Sequence, residues 1–193
     1  MKKFVFAIST ILATMGAAQA QTQAVERPLR FLVGTGVSHG GDTLATAEYE
    51  SGWSRDVKAG GLVYFTFGAN YRLDEEFSIQ GTLNYHVDDA SAKNGKLKFE
   101  RFPVEVLGYY HMDENWRVGA GLRYIKSAKL SSDGAAPDVG GKSDSTVSGV
   151  VELEYFFIPQ VGMKVRYVKE KFKAAGMRDV NADHFGISGN FYF

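Results

Sequence analysis

Eight stretches of this chain alternate between apolar and polar residues. A repeat of two residues is the period of a β-strand, in which successive side chains point to opposite faces of the sheet. The alternation is clearest in the third stretch, where Phe77, Ile79 and Leu83 share one face. The predicted strands are residues 29–38, 61–72, 77–87, 97–110, 116–127, 146–157, 161–172 and 184–193. The pattern therefore predicts an all-β protein.

The predicted connections alternate between long and short along the chain. The short ones are residues 73–76, 111–115 and 158–160, and the long ones are residues 39–60, 88–96, 128–145 and 173–183. Short turns at one end and long loops at the other are typical of an outer-membrane barrel whose N-terminus lies on the periplasmic side. The sequence therefore predicts one domain at residues 28–193, an eight-stranded antiparallel up-and-down transmembrane β-barrel. A soluble barrel of the lipocalin type is the alternative.

The charged residues distinguish between these two barrels. A soluble barrel would bury apolar residues and expose charges, whereas a charge on the lipid face near the midplane costs about 2–4 kcal/mol for Arg or Lys. The ionised residues in the central parts of the strands all lie on the face opposite the apolar one; they are Glu105, Arg117, Arg123, Glu152, Glu154, Lys164 and Arg166. This placement favours the transmembrane barrel.

The inward charges predict an ion-pair network in the middle of the barrel lumen. If the turn at 158–160 places Phe157 opposite Val161, then Glu154 faces Lys164, and Glu152 faces Arg166 by the same register. If the turn at 111–115 places Tyr110 opposite Trp116, then Glu105 lies opposite Gly121 and diagonal to Arg123. The predicted network consists of Glu105, Arg123, Glu152, Glu154, Lys164 and Arg166.

Aromatic residues of the outward face cluster beside the short turns and at the C-terminus. Amphipathic rings favour the depth of the lipid headgroups, so outer-membrane barrels carry aromatic girdles there. The predicted periplasmic girdle consists of Tyr71, Phe77, Tyr110, Trp116, Phe157 and Phe193.

The N-terminus has the form of a secretory signal peptide. Met1-Lys2-Lys3 is basic, residues 4–16 are mainly apolar, and Ala18-Gln19-Ala20 has small residues at the spacing of a cleavage site. We expect residues 1–20 to be removed and residues 21–27 to form a short polar segment before the barrel. The protein is then exported without a helical membrane anchor.

Composition narrows the possible partners. The chain has 22 basic and 22 acidic residues, and loss of Lys2 and Lys3 leaves 20 basic against 22 acidic residues. A nucleic-acid-binding protein would have a basic excess, so no nucleic-acid partner is expected. The chain has no cysteine, which excludes disulfides and thiol chemistry. No residue pattern indicates a cofactor or a metal.

The chain resembles the small outer-membrane β-barrels of Gram-negative bacteria, such as the OmpA transmembrane domain and the OmpX-type and OmpW-type proteins. The resemblance rests on the signal peptide, the eight alternating strands, the short turns opposite long loops, and the ending Phe191-Tyr192-Phe193. It implies a location in the outer membrane, contact of the outward face with outer-membrane lipid and lipopolysaccharide, and a monomer. It also implies that the barrel-assembly machinery reads Phe191, Tyr192 and Phe193 as an assembly signal.

Three functions are compatible with such a barrel. The first is a non-enzymatic structural or surface-interaction role, with a polar lumen and four longer extracellular loops. The second is a narrow gated channel for small solutes or ions. The third is a lipid-modifying enzyme, which would need a serine, a histidine and an acid close together. Its candidate residues match no deacylase motif; they are Ser38, His39, Asp42, His86 and Asp88.

Overall fold

The computed structural model describes residues 28–48, 54–92, 95–134, 141–142, 145–173 and 179–193. The predicted signal peptide at 1–20 and the polar segment at 21–27 lie outside these residues. Within them, the chain forms thirteen β-strands: β1 Leu29–Gly40, β2 Thr43–Glu48, β3 Ser54–Lys58, β4 Leu62–Arg72, β5 Phe77–Ala92, β6 Gly95–His111, β7 Trp116–Gly134, β8 Gly141–Lys142, β9 Thr146–Ile158, β10 Val161–Lys169, β11 Lys171–Phe172, β12 Val180–Asn181 and β13 His184–Tyr192. No helix in this part of the chain is long and apolar enough to cross a membrane.

Eight of the strands close into an antiparallel ring. Going around it, β1 is followed by β4, β5, β6, β7, β9, β10 and β13, and β13 pairs with β1 again. The closing seam runs from Leu32 opposite Tyr192 to Gly40 opposite His184. It ends in two bonds between Phe31 and Phe193, whose amides each donate to the other's carbonyl at 2.8 and 2.9 Å. Closure leaves no free sheet edge, and the predicted all-β fold class, an eight-stranded antiparallel up-and-down transmembrane β-barrel, is confirmed.

Two of the short turns share one structure. In each, an aspartate side chain accepts hydrogen bonds from the amides two and three residues later. Asp74 Oδ1 binds the amides of Glu76 and Phe77 at 2.8 and 2.7 Å. Asp113 Oδ1 binds those of Asn115 and Trp116, both at 2.7 Å. Aspartate is favoured in turns for this reason. We call the end of the barrel that carries these turns and Phe193 the turn end, and the opposite end the loop end.

The predicted long loops are largely wrong, because strand pairing continues beyond the alternating segments. The 39–60 loop contains the hairpin of β2 and β3, and only residues 93–94 separate β5 from β6. β7 extends to Gly134, where β8 pairs with it, and β11 pairs with β12. Beyond the membrane, outward side chains need not be apolar, so the sequence alternation stops while the backbone ladder continues.

One predicted hairpin register is corrected by the structure, and a second is confirmed apart from its first pair. Tyr110 pairs with Val118 rather than Trp116, because the Met112 amide donates to the Trp116 carbonyl and shortens the turn. Val161 pairs with Ile158 rather than Phe157, but from Gly162 opposite Phe156 onward β9 and β10 keep the predicted register. β6 shifts register between Arg101 and Pro103, since proline lacks the amide that a ladder bond needs.

The outer wall is an apolar belt. Large side chains along it are 37% to 69% exposed, including Leu122 at 64% and Phe185 at 69%. An apolar surface as exposed as this one is normal only where lipid covers it. At the loop end the outward face becomes polar; the exposed residues there include His39, Asp89, Lys98, Lys126 and Lys169.

Gly121 lies against the neighbouring strand β6, where there is no room for a side chain. A Cβ atom at this position would be 2.1 Å from the Val106 carbonyl oxygen. We expect Gly121→Ala to destabilise the barrel by about 1–3 kcal/mol, the usual cost of overpacking. Gly108→Ala is the matched control, because a Cβ atom there meets nothing within 4 Å. Urea unfolding of both refolded variants in detergent measures the difference, and equal stability of the two would contradict the expectation.

Candidate functional site: the barrel lumen

The lumen holds many buried polar and charged side chains. Nine ionisable residues of the ion-paired set are 0% to 5% exposed; they are Arg101, Glu105, Arg117, Arg123, Glu152, Glu154, Lys164, Arg166 and Glu170. Eight of them lie on the inward faces of their strands, where alternation places them, and Glu170 lies between β10 and β11. Buried charges require partners and hydrogen bonds, and these residues form three layers between the two ends of the barrel.

Arg117 is the centre of the layer nearest the turn end. Its Nη2 and Nε bind Glu154 Oε2 at 2.6 and 2.9 Å. The same guanidinium donates to Asn70 Oδ1 at 2.8 Å and to the Tyr192 hydroxyl at 2.6 Å. It also lies over the Tyr109 ring, 4.0 Å from the ring centroid. Four strands are therefore connected to β7 through one side chain.

The middle layer joins Lys164 and Arg166 of β10 to carboxylates of two other strands. Lys164 Nζ is 3.0 Å from Glu152 Oε2. Arg166 Nη2 is 3.3 Å from Glu152 Oε1 and 2.7 Å from Glu105 Oε1. The Tyr109 hydroxyl donates to Glu152 and accepts from Lys164 at 3.0 Å. Each carboxylate is shared, so the layer is a network rather than a set of separate pairs.

The third layer, nearest the loop end, is built on Glu170. Its Oε1 accepts from Arg123 Nε at 3.0 Å, and its Oε2 accepts from Arg101 Nη1 at 2.8 Å. Arg123 Nη1 also binds Glu105 Oε1 at 2.7 Å, which connects this layer to the middle one. Ser148 Oγ donates to Glu170 at 3.1 Å.

The six residues of the predicted network are placed together inside the barrel, with one change of geometry. Glu154 lies opposite Lys164, and Glu152 lies opposite Arg166. Glu105 lies directly opposite Arg123, not opposite Gly121. The direct pairing follows from the corrected register of β6 and β7.

Three further charges take part in the network, and the sequence pattern does not predict their place in it. Arg117 has the inward parity but no predicted partner, while Arg101 and Glu170 lie outside the central parts of the predicted strands. The sequence does contain a signal for Arg101 and Glu170. Arg101 has the parity of Glu105, and Glu170 has the parity of Lys164 and Arg166.

Apolar clusters cover the charged layers at both ends. The loop-end cap consists of Val57, Ala59, Phe99, Ile125, Ala128, Phe172 and Ala182, with Leu44 and Val180 packed against it. The turn-end cap consists of Leu32, Phe156 and Tyr192. Arg30 lies over the Tyr192 ring at 5.1 Å from its centroid and donates to the Pro159 carbonyl. The three charged layers therefore lie between the loop-end cap and the turn-end cap.

The candidate residues for an enzyme are held by separate structural contacts. Ser38 Oγ donates to the Gly60 carbonyl at 2.7 Å, and Asp42 Oδ2 accepts from the Asn181 amide at 2.9 Å. His39 is exposed, with its Nε2 3.4 Å from Lys58 Nζ. His86 lies in the lumen between arginines, and Asp88 Oδ2 accepts from the Lys58 amide at 3.1 Å. The described residues contain no group of three His, Cys, Asp or Glu side chains that could hold a metal ion.

The predicted turn-end girdle residues are exposed on the outer wall; they are Tyr71, Phe77, Tyr110, Trp116, Phe157 and Phe193. Phe77 and Tyr110 have ring centroids 5.4 Å apart. Trp116 packs on Tyr155 at 4.7 Å, and Phe193 lies 6.2 Å from Phe31. Tyr155 and Phe31 thus extend the ring of aromatics beyond the predicted set.

A second aromatic girdle, which the sequence pattern does not predict, lies toward the loop end. Tyr85 stacks on Phe102 at 4.9 Å, and Tyr167 packs on Phe185 at 4.7 Å. Just beyond them, Glu100 accepts a hydrogen bond from Tyr85 at 2.7 Å and is 2.7 Å from the Lys98 ammonium. The bond from Lys98 lowers the pKa of the Glu100 carboxyl. This polar group marks the upper border of the apolar belt.

Comparison with known proteins agrees with the architecture. Residues 10–193 match the family described as outer membrane protein beta-barrel domain. No curated protein sequence matches the chain. The structure is similar to Ail, the attachment invasion locus protein of Yersinia pestis, with a TM-score of 0.55 and 12% identity over 86% of this chain and 97% of Ail. It is also similar to Neisserial surface protein A, with a TM-score of 0.50 and 13% identity over 86% of this chain and 98% of that protein. At these identities the likeness shows the fold alone.

Proposed function

Because this chain belongs to the outer membrane protein beta-barrel domain family, we propose that it is a non-enzymatic integral protein of the outer membrane with a structural or surface-interaction role. The observation that carries the proposal is the filled lumen. Its charged side chains are buried and bound to one another, and an apolar cap lies at each end. An eight-stranded barrel has an interior just wide enough for side chains to fill.

The loop end supports the surface-interaction part of the proposal. The hairpin of β2 and β3 and the extended parts of β5, β6 and β7 lie beyond the apolar belt. In a barrel with short periplasmic turns, this end faces the cell exterior. Loops on a rigid barrel are the usual position of binding residues. The buried network then serves as the rigid support for this outer surface.

Planar-bilayer recording tests the proposal directly. The refolded protein should give no discrete conductance steps, because ions would have to cross two apolar caps and a network of paired charges. A refolded wide porin in the same bilayers serves as the positive control. Reproducible steps from the pure protein would overturn the closed-lumen proposal.

A narrow gated channel is the second candidate, and one observation favours it. Glu105 binds both Arg123 and Arg166, and Glu152 binds both Lys164 and Arg166. Shared partners can exchange, so the network could rearrange without leaving a charge unpaired. If the protein is such a channel, Lys164→Met should change the frequency or size of its steps, whereas the exposed-residue control Lys126→Met should not.

We also propose that the C-terminal residues Phe191, Tyr192 and Phe193 act as an assembly signal and that residues 1–20 direct export. Deletion of Phe193 removes a girdle residue and the two seam bonds to Phe31. The truncated protein should reach the outer membrane at several-fold lower levels in cells, and its unfolding in detergent should change much less. Glu114→Ala changes an exposed turn residue and serves as the control. Normal membrane levels of the truncated protein would contradict the signal.

A further inference from the structure

His86 occupies an unusual position in the loop-end layer of the lumen. It is 1% exposed and stacks on Tyr64, with ring centroids 4.8 Å apart. Its Nδ1 is 3.4 Å from Arg101 Nη2, and its Nε2 is 3.4 Å from Arg123 Nη1. Both ring nitrogens therefore face guanidinium groups.

These contacts cannot both be hydrogen bonds. A guanidinium only donates, and a neutral imidazole has one acceptor nitrogen and one N–H. One ring N–H is therefore directed at a guanidinium N–H, whichever tautomer is present. In a protonated imidazole both ring nitrogens carry an N–H group, so both contacts would set an N–H donor of His86 against an N–H donor of an arginine. Some acceptor beyond the surrounding side chains is needed in this layer.

Other donors in the same layer also lack acceptors. Arg101 Nε, Arg123 Nη2 and Arg166 Nε are buried without a hydrogen-bond partner in the described part of the chain. Arg166 lies over the Tyr64 ring at 5.6 Å from its centroid, which connects it to the His86 stack. A buried polar group without a partner is rare in proteins and commonly indicates a bound ion or water.

The surplus of N–H donors in this layer favours an anion over a water molecule, because an anion only accepts hydrogen bonds. Three guanidinium groups, those of Arg101, Arg123 and Arg166, share the carboxylates of Glu105 and Glu170. Arg166 also reaches Glu152, which is bound to Lys164 as well. The next inward side chain of β5, Asp88, accepts the Lys58 amide. With Asp88 counted, the carboxylates balance the positive charges, but guanidinium N–H groups of all three arginines still lack an acceptor among the described residues.

We propose that a small monovalent inorganic anion, such as chloride, binds beside His86 and accepts hydrogen bonds from the Arg101 and Arg123 guanidinium groups. Charge-assisted bonds from guanidinium are strong in a buried site. The flanking carboxylates of Glu105 and Glu170 repel polyanions, and the loop-end cap encloses the layer. The site therefore selects for small size and single charge.

Crystals grown with sodium bromide as the only halide salt test the proposal. An anomalous peak at the bromine edge, within hydrogen-bonding distance of the His86 ring and the Arg123 guanidinium, is the expected result. An ordered water in that position, an empty layer, or bromide only on the protein surface would overturn it.

Thermal unfolding of the refolded protein gives a second test. At constant ionic strength, chloride at ten times its Kd should raise Tm by about 3–6 °C relative to gluconate. Gluconate serves as the reference because this anion is too large for the layer. His86→Phe keeps the stack on Tyr64 and should abolish this difference. His111→Phe is the matched control, because His111 lies at the turn end with its Nε2 2.9 Å from Ser78 Oγ, and it should keep the difference. Equal Tm values for the wild type in both salts would count against the site. If neither variant folds, the bromide density of the wild type decides.

Discussion

Arg117→Met is expected to remove about 3–5 kcal/mol from the free energy of unfolding, the usual cost of leaving one partner of a buried pair alone. Arg117 is 1% exposed, and Glu154 is fully buried. Without the guanidinium, Glu154 keeps only the Tyr192 hydroxyl at 2.8 Å, the weak Asn190 contact at 3.4 Å, and Lys164 at 3.7 Å. The lost contact with the Tyr109 ring adds to the cost.

Urea unfolding in detergent, followed by circular dichroism, measures this effect. Lys126→Met is the matched control, because Lys126 is an exposed cation on the same strand, and it should change stability by less than about 0.5 kcal/mol. The double variant Arg117→Met, Glu154→Gln should recover part of the loss, since it removes the unpaired charge. A loss below about 1 kcal/mol for Arg117→Met would contradict the importance of the pair.

Leu122→Arg is expected to destabilise the inserted barrel by about 2–4 kcal/mol, the cost of a cation on the lipid face near the midplane. Leu122 is 64% exposed on the outer wall, and its neighbours across the sheet are Val106 and Gly149. No outward carboxylate is among these neighbours, so the guanidinium would face lipid.

Folding into lipid vesicles at graded urea concentrations tests this expectation. Leu122→Met is the control, because it keeps an apolar side chain of similar size and should cost less than about 1.5 kcal/mol. Equal stability of Leu122→Arg and Leu122→Met in vesicles would show that this face does not meet lipid.

The barrel itself could be predicted from the sequence because lipid imposes a simple rule on each strand. Alternation identifies both the strand and its two faces, and a charge such as Glu152 can only lie inside. The pairings of Glu154 with Lys164 and of Glu152 with Arg166 needed only one further fact, the register of a short hairpin. Local residues determine such a register.

Other features depend on contacts that the sequence pattern does not contain. The aspartate turn at Asp113 changed the register of β6 and β7 and brought Glu105 opposite Arg123. The loop-end cap joins residues from several connections, among them Val57, Phe99 and Phe172, which meet only because the barrel closes. Strand ends beyond the belt carry no alternation, so the predicted loops were too long.

The contacts of the lumen network link residues far apart along the chain. Arg117 reaches Tyr192, 75 residues away, and Arg101 reaches Glu170, 69 residues away. These bonds cannot form until β1 and β13 meet, since only then is the interior shielded from water. A partly formed sheet would hold the same charges in separate, solvated positions. Removal of any one strand from the finished barrel would also leave charges on the others without partners. Unfolding should therefore be cooperative, with no strand lost alone.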